Sequence, residues 1–478
     1  MLKEITPILL AGGIGKRLWP VSRKSFPKQF NQLFDKKTLF QNTLERLQSN
    51  KFVLFNSPIT ITNEDFRFLV LEQFKNLNRD NGEIFLEPES KNTASSILAA
   101  SIYMFNCNKN SVLLMSPTDH VIPETFEFHK TIAQGFQELE KGNLVIFGIK
   151  PDRVETGYGY IETKIEKNLN VHSIVKFIEK PNIKEAEKMF LSKKYLWNAG
   201  IILFRAKDLI KVFKKHQPNI FKKVNSSLIM GKKDLDFYRL EKNNWSQCKN
   251  ISIDNAILEK IKNLKVIPFN NKWSDLGDWE SVWREKKQTN KSVYESKNVT
   301  SIDCNNVLLN NFSSESHLVG LGLENIIAVS TKDAVLIANK SRSQEVKDVV
   351  DLLKIKKIPE AETHFKDFRP WGWFEILSFS KFYKVKKILV YPNSSLSLQS
   401  HKFRSEHWVI IDGVANVTID NKVQICKKGE SVYIPLGAIH RLENTKKKAL
   451  IIIEIQSGNY LGEDDIIRYE DNYGRQEN

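Results

Sequence analysis

The chain has 478 residues, enough for two or three domains with sizeable cores, and its 41% hydrophobic and 27% charged content is that of a globular protein rather than a disordered or membrane-embedded one. Net charge is +16, but the lysines are spread along the whole chain and no segment interleaves a basic stripe with aromatics, so a nucleic-acid binder is not expected. Apolar runs are far too short to span a membrane, no secretory signal is apparent at the N-terminus, and Cys107, Cys248, Cys304 and Cys426 form no Cys-x-x-Cys pair, which together lead us to expect a cytoplasmic protein with reduced thiols.

The chain opens on a buried strand, Ile8 to Leu10, followed at once by Ala11, Gly12, Gly13 and Gly15. Glycines there let backbone amides approach an anion, and Lys16, Arg17, Arg23 and Lys28 add cations within the same loop, as a polyphosphate requires. The spacing is not that of a Walker loop. It also fails the dinucleotide fingerprint, because Leu18 stands where the third glycine is needed. Thr38 to Leu47 has helical periodicity, and strands are expected at 52–55, 84–86, 112–115 and 144–148, with a helix from Asn92 through Ala100. This alternation predicts an α/β domain with a mainly parallel sheet, whose ligands lie beyond the carboxyl ends of the strands. Asp119 falls at such an end. Ser252 or Asp254 reads as a helix N-cap.

Residues 284–297 turn polar, which places a boundary near 290. A small strand-rich connector is expected over 291–355, ending in a helix over 344–353 and followed by a charged linker, 355–368. From 369 onward short strands alternate with turns.

Several strings are more specific than any of these patterns. Leu-Ala-Gly-Gly-x-Gly-x-Arg-Leu-Trp-Pro-x-Ser-Arg over 10–23 and Pro-Lys-Gln-Phe over 27–30 resemble the signature of sugar-1-phosphate nucleotidylyltransferases. Pro117-x-Asp119-His120, Phe177-x-Glu179-Lys180-Pro181, Trp197-Asn198-Ala199-Gly200 and Trp273-Ser274-Asp275-Leu276-Gly277-Asp278-Trp279 extend the likeness. Gln399-x-His401 with Glu406, then Pro435-x-Gly437-x-x-His440, resemble the two metal motifs of the cupin jelly roll. Nearly the whole chain is therefore similar to the bifunctional type II mannose-6-phosphate isomerase/mannose-1-phosphate guanylyltransferase family. The resemblance implies three parts: a Rossmann-like nucleotidyltransferase domain (1–290), a β-rich, β-helix-like connector (291–355) and a C-terminal cupin (356–478).

The same resemblance implies a reaction, GTP plus mannose 1-phosphate giving GDP-mannose and pyrophosphate, and roles for particular residues. Leu10, Ala11, Gly12, Gly13, Gly15, Lys16, Arg17 and Lys28 would hold the nucleotide. Asp119 and Asp275 would bind Mg²⁺, and Gly157, Tyr158, Gly159, Glu179, Lys180, Asn198 and Gly200 would meet the sugar phosphate. Gln399, His401, Glu406 and His440 would take zinc or another divalent ion, with Arg404 on the phosphate of mannose 6-phosphate. The family also implies a homodimer. The sequence departs from the family's pattern at Lys402 and Phe403, where histidines are usual, and at Lys91, where arginine is usual. The first departure leaves the base of an isomerase reaction unassigned. Two other classes compete: a non-catalytic, GDP-mannose-sensing regulatory paralogue, and a basic nucleic-acid binder whose affinity would fall steeply with salt.

Overall fold

The structure, a computed structural model, describes residues 3–164, 169–286 and 292–470. The boundary expected near 290 lies outside them. The chain forms two compact units, Met1–Ala361 and Glu362–Asn478.

The first unit is built on a 12-stranded sheet. Lys3–Leu10, whose Ile5, Ile8 and Leu9 are fully buried, lies between Ile59–Asn63 and Val112–Pro117, parallel to both. Ile59–Asn63 in turn pairs in parallel with Glu83–Glu87. Leu10, Asn63, Glu87 and Pro117 therefore end at one edge of the sheet. Tyr195–Arg205 is wedged antiparallel between Val112–Pro117 and Leu144–Ile149. Its reversed direction brings the start of that strand, Trp197 to Gly200, to the same edge, with Ile149 opposite Trp197 and Gly148 opposite Asn198.

Helices take the polar or apolar faces their sequences dictate. Leu39–Arg46 begins in a capping box formed by Thr38 and Gln41. The helix expected to reach Ala100 runs on to Cys107, and Ala94 to Ile102 are all buried, because it packs both against the sheet and under Ala206–His216 and Pro218–Ile229. Ser252, not Asp254, is the cap at the next turn, its hydroxyl accepting from the Asn255 amide.

The connector stacks short parallel strands: Tyr294–Glu295, Leu308–Asn311 and Ile326–Ser330 form one column, and Val299–Ile302 with Leu318–Leu321 another. It closes with Val335–Asn339, antiparallel to its neighbour, and the helix Val346–Ile355. Leu308, Ile327, Val329, Val346 and Val350 share one buried cluster with Leu18, Trp19 and Val21 of the glycine loop's flank.

The second unit is two antiparallel six-stranded sheets facing each other, with Trp371, Val390, Trp408, Val417, Leu442, Leu450 and Ile452 between them. The charged linker expected over 355–368 is shorter than that. Lys366–Arg369 is already an edge strand paired with Gly372–Phe379, its charged side chains half-buried and Asp367 paired with Arg369 (2.6 Å).

Candidate active sites

The glycine loop lies at the common edge. Ala11 donates its amide to the Ile61 carbonyl (2.9 Å), so the chain leaves the sheet only at Gly12. Side chains at Gly12 or Gly13 would meet nothing within 4 Å; the loop is open there. Gly15 is different: it adopts φ +71°, and a Cβ would sit 2.7 Å from Lys28 Cβ, so only glycine lets the loop fold back on Lys28. The Ser22 hydroxyl donates to the Ile14 carbonyl and holds the turn. Arg17 Nε is buried without a partner. Lys16 Nζ lies 2.8 Å from Asp351 of the connector helix. Arg23, counted among the phosphate-facing cations from its position in the loop, is turned away. It is 1% exposed and gives both Nη groups to Asp333.

Lys28 brings the two aspartates of the sequence together. Its Nζ lies 2.8 Å from Asp119 Oδ2 and donates to the main-chain oxygens of Asp275 (2.5 Å) and Leu276 (3.3 Å). Burial would raise the Asp119 pKa, but the charges of Lys28 and His120 bring it below the usual value. Tyr158 donates its hydroxyl to Asp275 Oδ1 (2.6 Å), and the Gly277 amide donates to the same oxygen (3.1 Å). Beside Asp119, burial depresses His120 to about 4, so its ring is neutral at physiological pH, and Trp273 Nε1 donates to its Nδ1 (3.3 Å). Carboxylate and carbonyl oxygens thus converge on a single ammonium, an arrangement of hard oxygen donors that suits a small divalent ion.

The remaining residues that the sequence led us to expect at the sugar are contiguous with this centre. A Cβ at Gly159 would lie 2.7 Å from Glu179 Oε2, and the Gly159 carbonyl accepts from the Asn198 amide (2.8 Å). The Asn198 side chain receives the Gly200 amide (3.1 Å) and donates to Asp254 (2.8 Å). Burial, with the charge of Asp254 nearby, pushes Glu179 up to about 7, and the exposed Lys180 lies 3.4 Å from it. Gly157 is exposed at the tip of the same turn.

A cavity of about 500 Å³ opens between Gly12–Gly13 and Asn92–Thr93, with Asp119, Gly200 and Asp254 along one side. Two of its lining residues carry a signal that spacing alone does not reveal. Glu87 is fully buried and pushed up to about 8; it accepts a hydrogen bond from the Ser96 hydroxyl and is offered no cation. Gln29 is 2% exposed and its Nε2 has no partner. A carboxylate closing a buried strand at the ligand edge was the available clue. Asp254, read from the sequence as a cap, belongs to this wall too.

In the second unit the metal motifs come from three strands of the two facing sheets: Leu398–His401 and His440–Asn444, paired in one, and Arg404–Asp412 in the other. His401, Glu406 and His440 are 1–2% exposed, and each offers a donor atom within 4.8 Å of the others. Gln399 is paired in register with His440, and its Oε1 accepts from Ser397 (2.9 Å). His401 Nε2 is 3.1 Å from Glu406 Oε1, yet both His401 nitrogens and His440 Nε2 lack hydrogen-bond partners. Orphaned buried imidazole nitrogens beside a carboxylate fit a nitrogen- and oxygen-seeking divalent metal. Burial would raise Glu406, but the neighbouring His401, His440 and Arg404 hold it well below the usual carboxylate range. Arg404 is itself buried, its Nε 3.3 Å from Glu406 and its Nη1 donating to the Gly462 carbonyl (2.6 Å). A cleft of about 50 Å³ beside it is lined by Gln399, Lys386, Glu454 and Glu463, of which the sequence reading named only Gln399. Lys402 and Phe403 are exposed; their amides donate to the Asp465 carboxylate (3.1 and 3.2 Å), and the Phe403 ring packs edge-on against Tyr460.

Three families of known proteins match successive parts of the chain. The nucleotidyl transferase family matches residues 6–292, a mannose-phosphate isomerase/GMP-like β-helix domain matches 297–353, and the mannose-6-phosphate isomerase C-terminal family matches 356–471. The mannose-1-phosphate guanylyltransferase of Salmonella montevideo is 40% identical, the match covering 98% of this chain and all of the relative. The xanthan biosynthesis protein XanB of Xanthomonas campestris is 39% identical (99% and 100% covered), and the alginate biosynthesis protein AlgA of Pseudomonas putida 38% (98% and 96%). The crystal structure of mannose-1-phosphate geranyltransferase from Thermus thermophilus superposes with a TM-score of 0.63 at 27% identity, over 73% of this chain and 99% of that one. With 40% identity running from the glycine loop through the cupin motifs, the chain belongs to the bifunctional type II mannose-6-phosphate isomerase/mannose-1-phosphate guanylyltransferase family.

Proposed function

We propose that the first unit transfers GMP from GTP to mannose 1-phosphate, releasing pyrophosphate. The observation that carries this reading is the meeting of Lys28, Asp119 and Asp275 beside an open glycine loop, at the end of a cavity large enough for a nucleoside. A phosphate oxygen of mannose 1-phosphate attacks the α-phosphorus of GTP, the bond to the bridging oxygen breaks, and pyrophosphate leaves with that oxygen. Two anions must meet, so the chain's contribution is charge and position rather than a nucleophile. Amides of Gly12, Gly13 and Gly15 with Arg17 and Lys16 hold the triphosphate. Lys28 faces the α-phosphate, where charge builds in the transition state. Lys180 meets the attacking phosphate, while Glu179, Asn198 and the Gly157–Gly159 turn orient the sugar. Asp119 and Asp275 would hold Mg²⁺, which supplies neutralisation of phosphate charge. Glu87 accepts from the N1–H and 2-amino group of guanine, and the unpartnered Gln29 amide donates to an acceptor on the base; adenine offers the opposite pattern.

The second unit, on this reading, binds a divalent metal through Gln399, His401, Glu406 and His440 and isomerises mannose 6-phosphate. Bound there, the metal would polarise the sugar oxygens. A pyrophosphate-release assay across GTP, ATP, UTP and dTTP with several sugar 1-phosphates tests the first assignment. No release from GTP and mannose 1-phosphate by folded, Mg²⁺-supplied protein would return the chain to the sensing alternative. An isomerase assay on metal-replete protein tests the second.

A further inference from the structure

The connector does more than join the two catalytic units, because it grips the glycine loop from behind. Arg23 Nη1 and Nη2 donate to Asp333 Oδ2 and Oδ1, both at 2.6 Å, in a two-pronged pair on the turn between two connector strands. Arg23 Nε donates back to the Pro20 carbonyl (2.8 Å), and Arg23 and Phe26 exchange main-chain hydrogen bonds, so the guanidinium spans a tight hairpin and its support. The hairpin is one residue from Ser22, whose hydroxyl holds Ile14, and it leads into Lys28, whose amide also reaches the Ile14 carbonyl (3.4 Å). Gly15 packs directly on the Lys28 side chain. Any shift of Arg23 therefore moves both the loop and the ammonium against which it lies. Trp19 anchors the other end of the segment just past the connector, donating its indole N–H to the Glu360 carbonyl (2.8 Å).

Arg23 is buried while the Asp333 side chain is 24% exposed, and an ion pair so placed is a poor source of stability, since apolar groups in its place often serve as well; what it supplies is a defined geometry. We infer that Asp333 is a positioning residue for nucleotide transfer: acting through Arg23, it sets the glycine loop against Lys28, so that GTP use depends on the connector. The inference rests on the assignment of the glycine loop to the triphosphate.

The test is initial-rate kinetics on full-length Asp333→Asn, Asp333→Glu and the double variant Arg23→Met/Asp333→Leu, with Arg17→Ala as a control on the loop assignment. Displacement of a reacting group by a fraction of an ångström to one ångström corresponds to losses on the order of tenfold to a hundredfold. Asp333→Asn should lose about that much in kcat/KM for GTP, with the KM for mannose 1-phosphate unchanged, and Asp333→Glu should regain most of it. The apolar double variant should melt with the wild type yet keep the GTP defect, which separates position from stability. A double variant with both wild-type melting and wild-type GTP kinetics would overturn the inference, even if Asp333→Asn proved unfolded. Wild-type GTP kinetics for Arg17→Ala would instead remove the loop assignment itself, whatever the Asp333 variants do.

Discussion

The two candidate sites are built in opposite ways. The first is assembled at strand ends and on loops: Gly15, Lys28, Asp119, Tyr158 and Asp275 are scattered over 260 positions of the chain, and its carboxylates are answered by the protein, Asp119 by the Lys28 ammonium and Asp275 by the Tyr158 hydroxyl and the Gly277 amide. The second is woven into three strands of two facing sheets, its histidines and Glu406 1–2% exposed, with His401 Nδ1 and His440 Nε2 left without a hydrogen-bond partner among the described residues. Loops at a sheet edge can admit and release a highly charged nucleotide, whereas strand-borne ligands hold a metal in fixed geometry. The difference also predicts independence: each site should fail on its own.

The severest test of that independence is His440→Ala. It should lower metal content, measured by elemental analysis, and abolish isomerisation while guanylyltransferase turnover stays near wild type; loss of both activities in folded protein would show the units to be coupled. Next in size, Lys28→Ala should cut guanylyltransferase kcat by about a hundredfold or more, the scale of one positioned transition-state donor, with isomerisation untouched. Glu87→Gln should shrink the preference for GTP over ATP and ITP by about tenfold to a hundredfold, since an unmatched buried hydrogen bond is worth ~1–3 kcal/mol. The same residue sets a pH dependence. Glu87 sits at about 8 in the free protein, well above an ordinary glutamate, so at neutral pH it is mostly protonated, and guanine donors favour the ionised form. GTP kcat/KM should therefore rise with pH until about 8, and the Glu87→Gln profile should be flat over that range. For stability the sign is reversed: a raised carboxyl pKa means that the Glu87 contribution declines as pH climbs from the unfolded value toward 8, and urea melts at pH 6 and 8 would register it. The smallest effect belongs to Lys402→His and Phe403→His. Both side chains face solvent, so each change should alter isomerase turnover less than about twofold, the range expected of surface substitutions.

Much of this was legible from residues alone, and the exceptions have a physical pattern. The glycine loop, Asp119 and the cupin histidines stand out in the sequence because each lies in a local string whose spacing has chemical meaning. Arg23 could not be placed correctly: its neighbours in sequence are phosphate-loop residues, but its partner is 310 positions away. Glu87 and Gln29 went unassigned because what distinguishes them is burial without a matching partner, a property of three-dimensional packing. The helix Asn92–Cys107 outran its expected end because Ile102, Tyr103, Met104 and Phe105 pack into a core that a second layer of helices completes.

The reversed strand Tyr195–Arg205 also governs how this edge of the sheet moves. Its second half is hydrogen-bonded to strands on both sides in the middle of the sheet, with Leu203 opposite both Leu114 and Val145. Its first half passes an irregularity at Gly148, where a side chain would collide with Leu196 and Val266. Amide exchange with deuterium should therefore divide this one strand in two. Ile202 to Phe204 should exchange only with global unfolding, while Trp197 to Gly200 should open in smaller, cheaper fluctuations. The half proposed to bind the sugar would then breathe without loosening the sheet that holds the glycine loop.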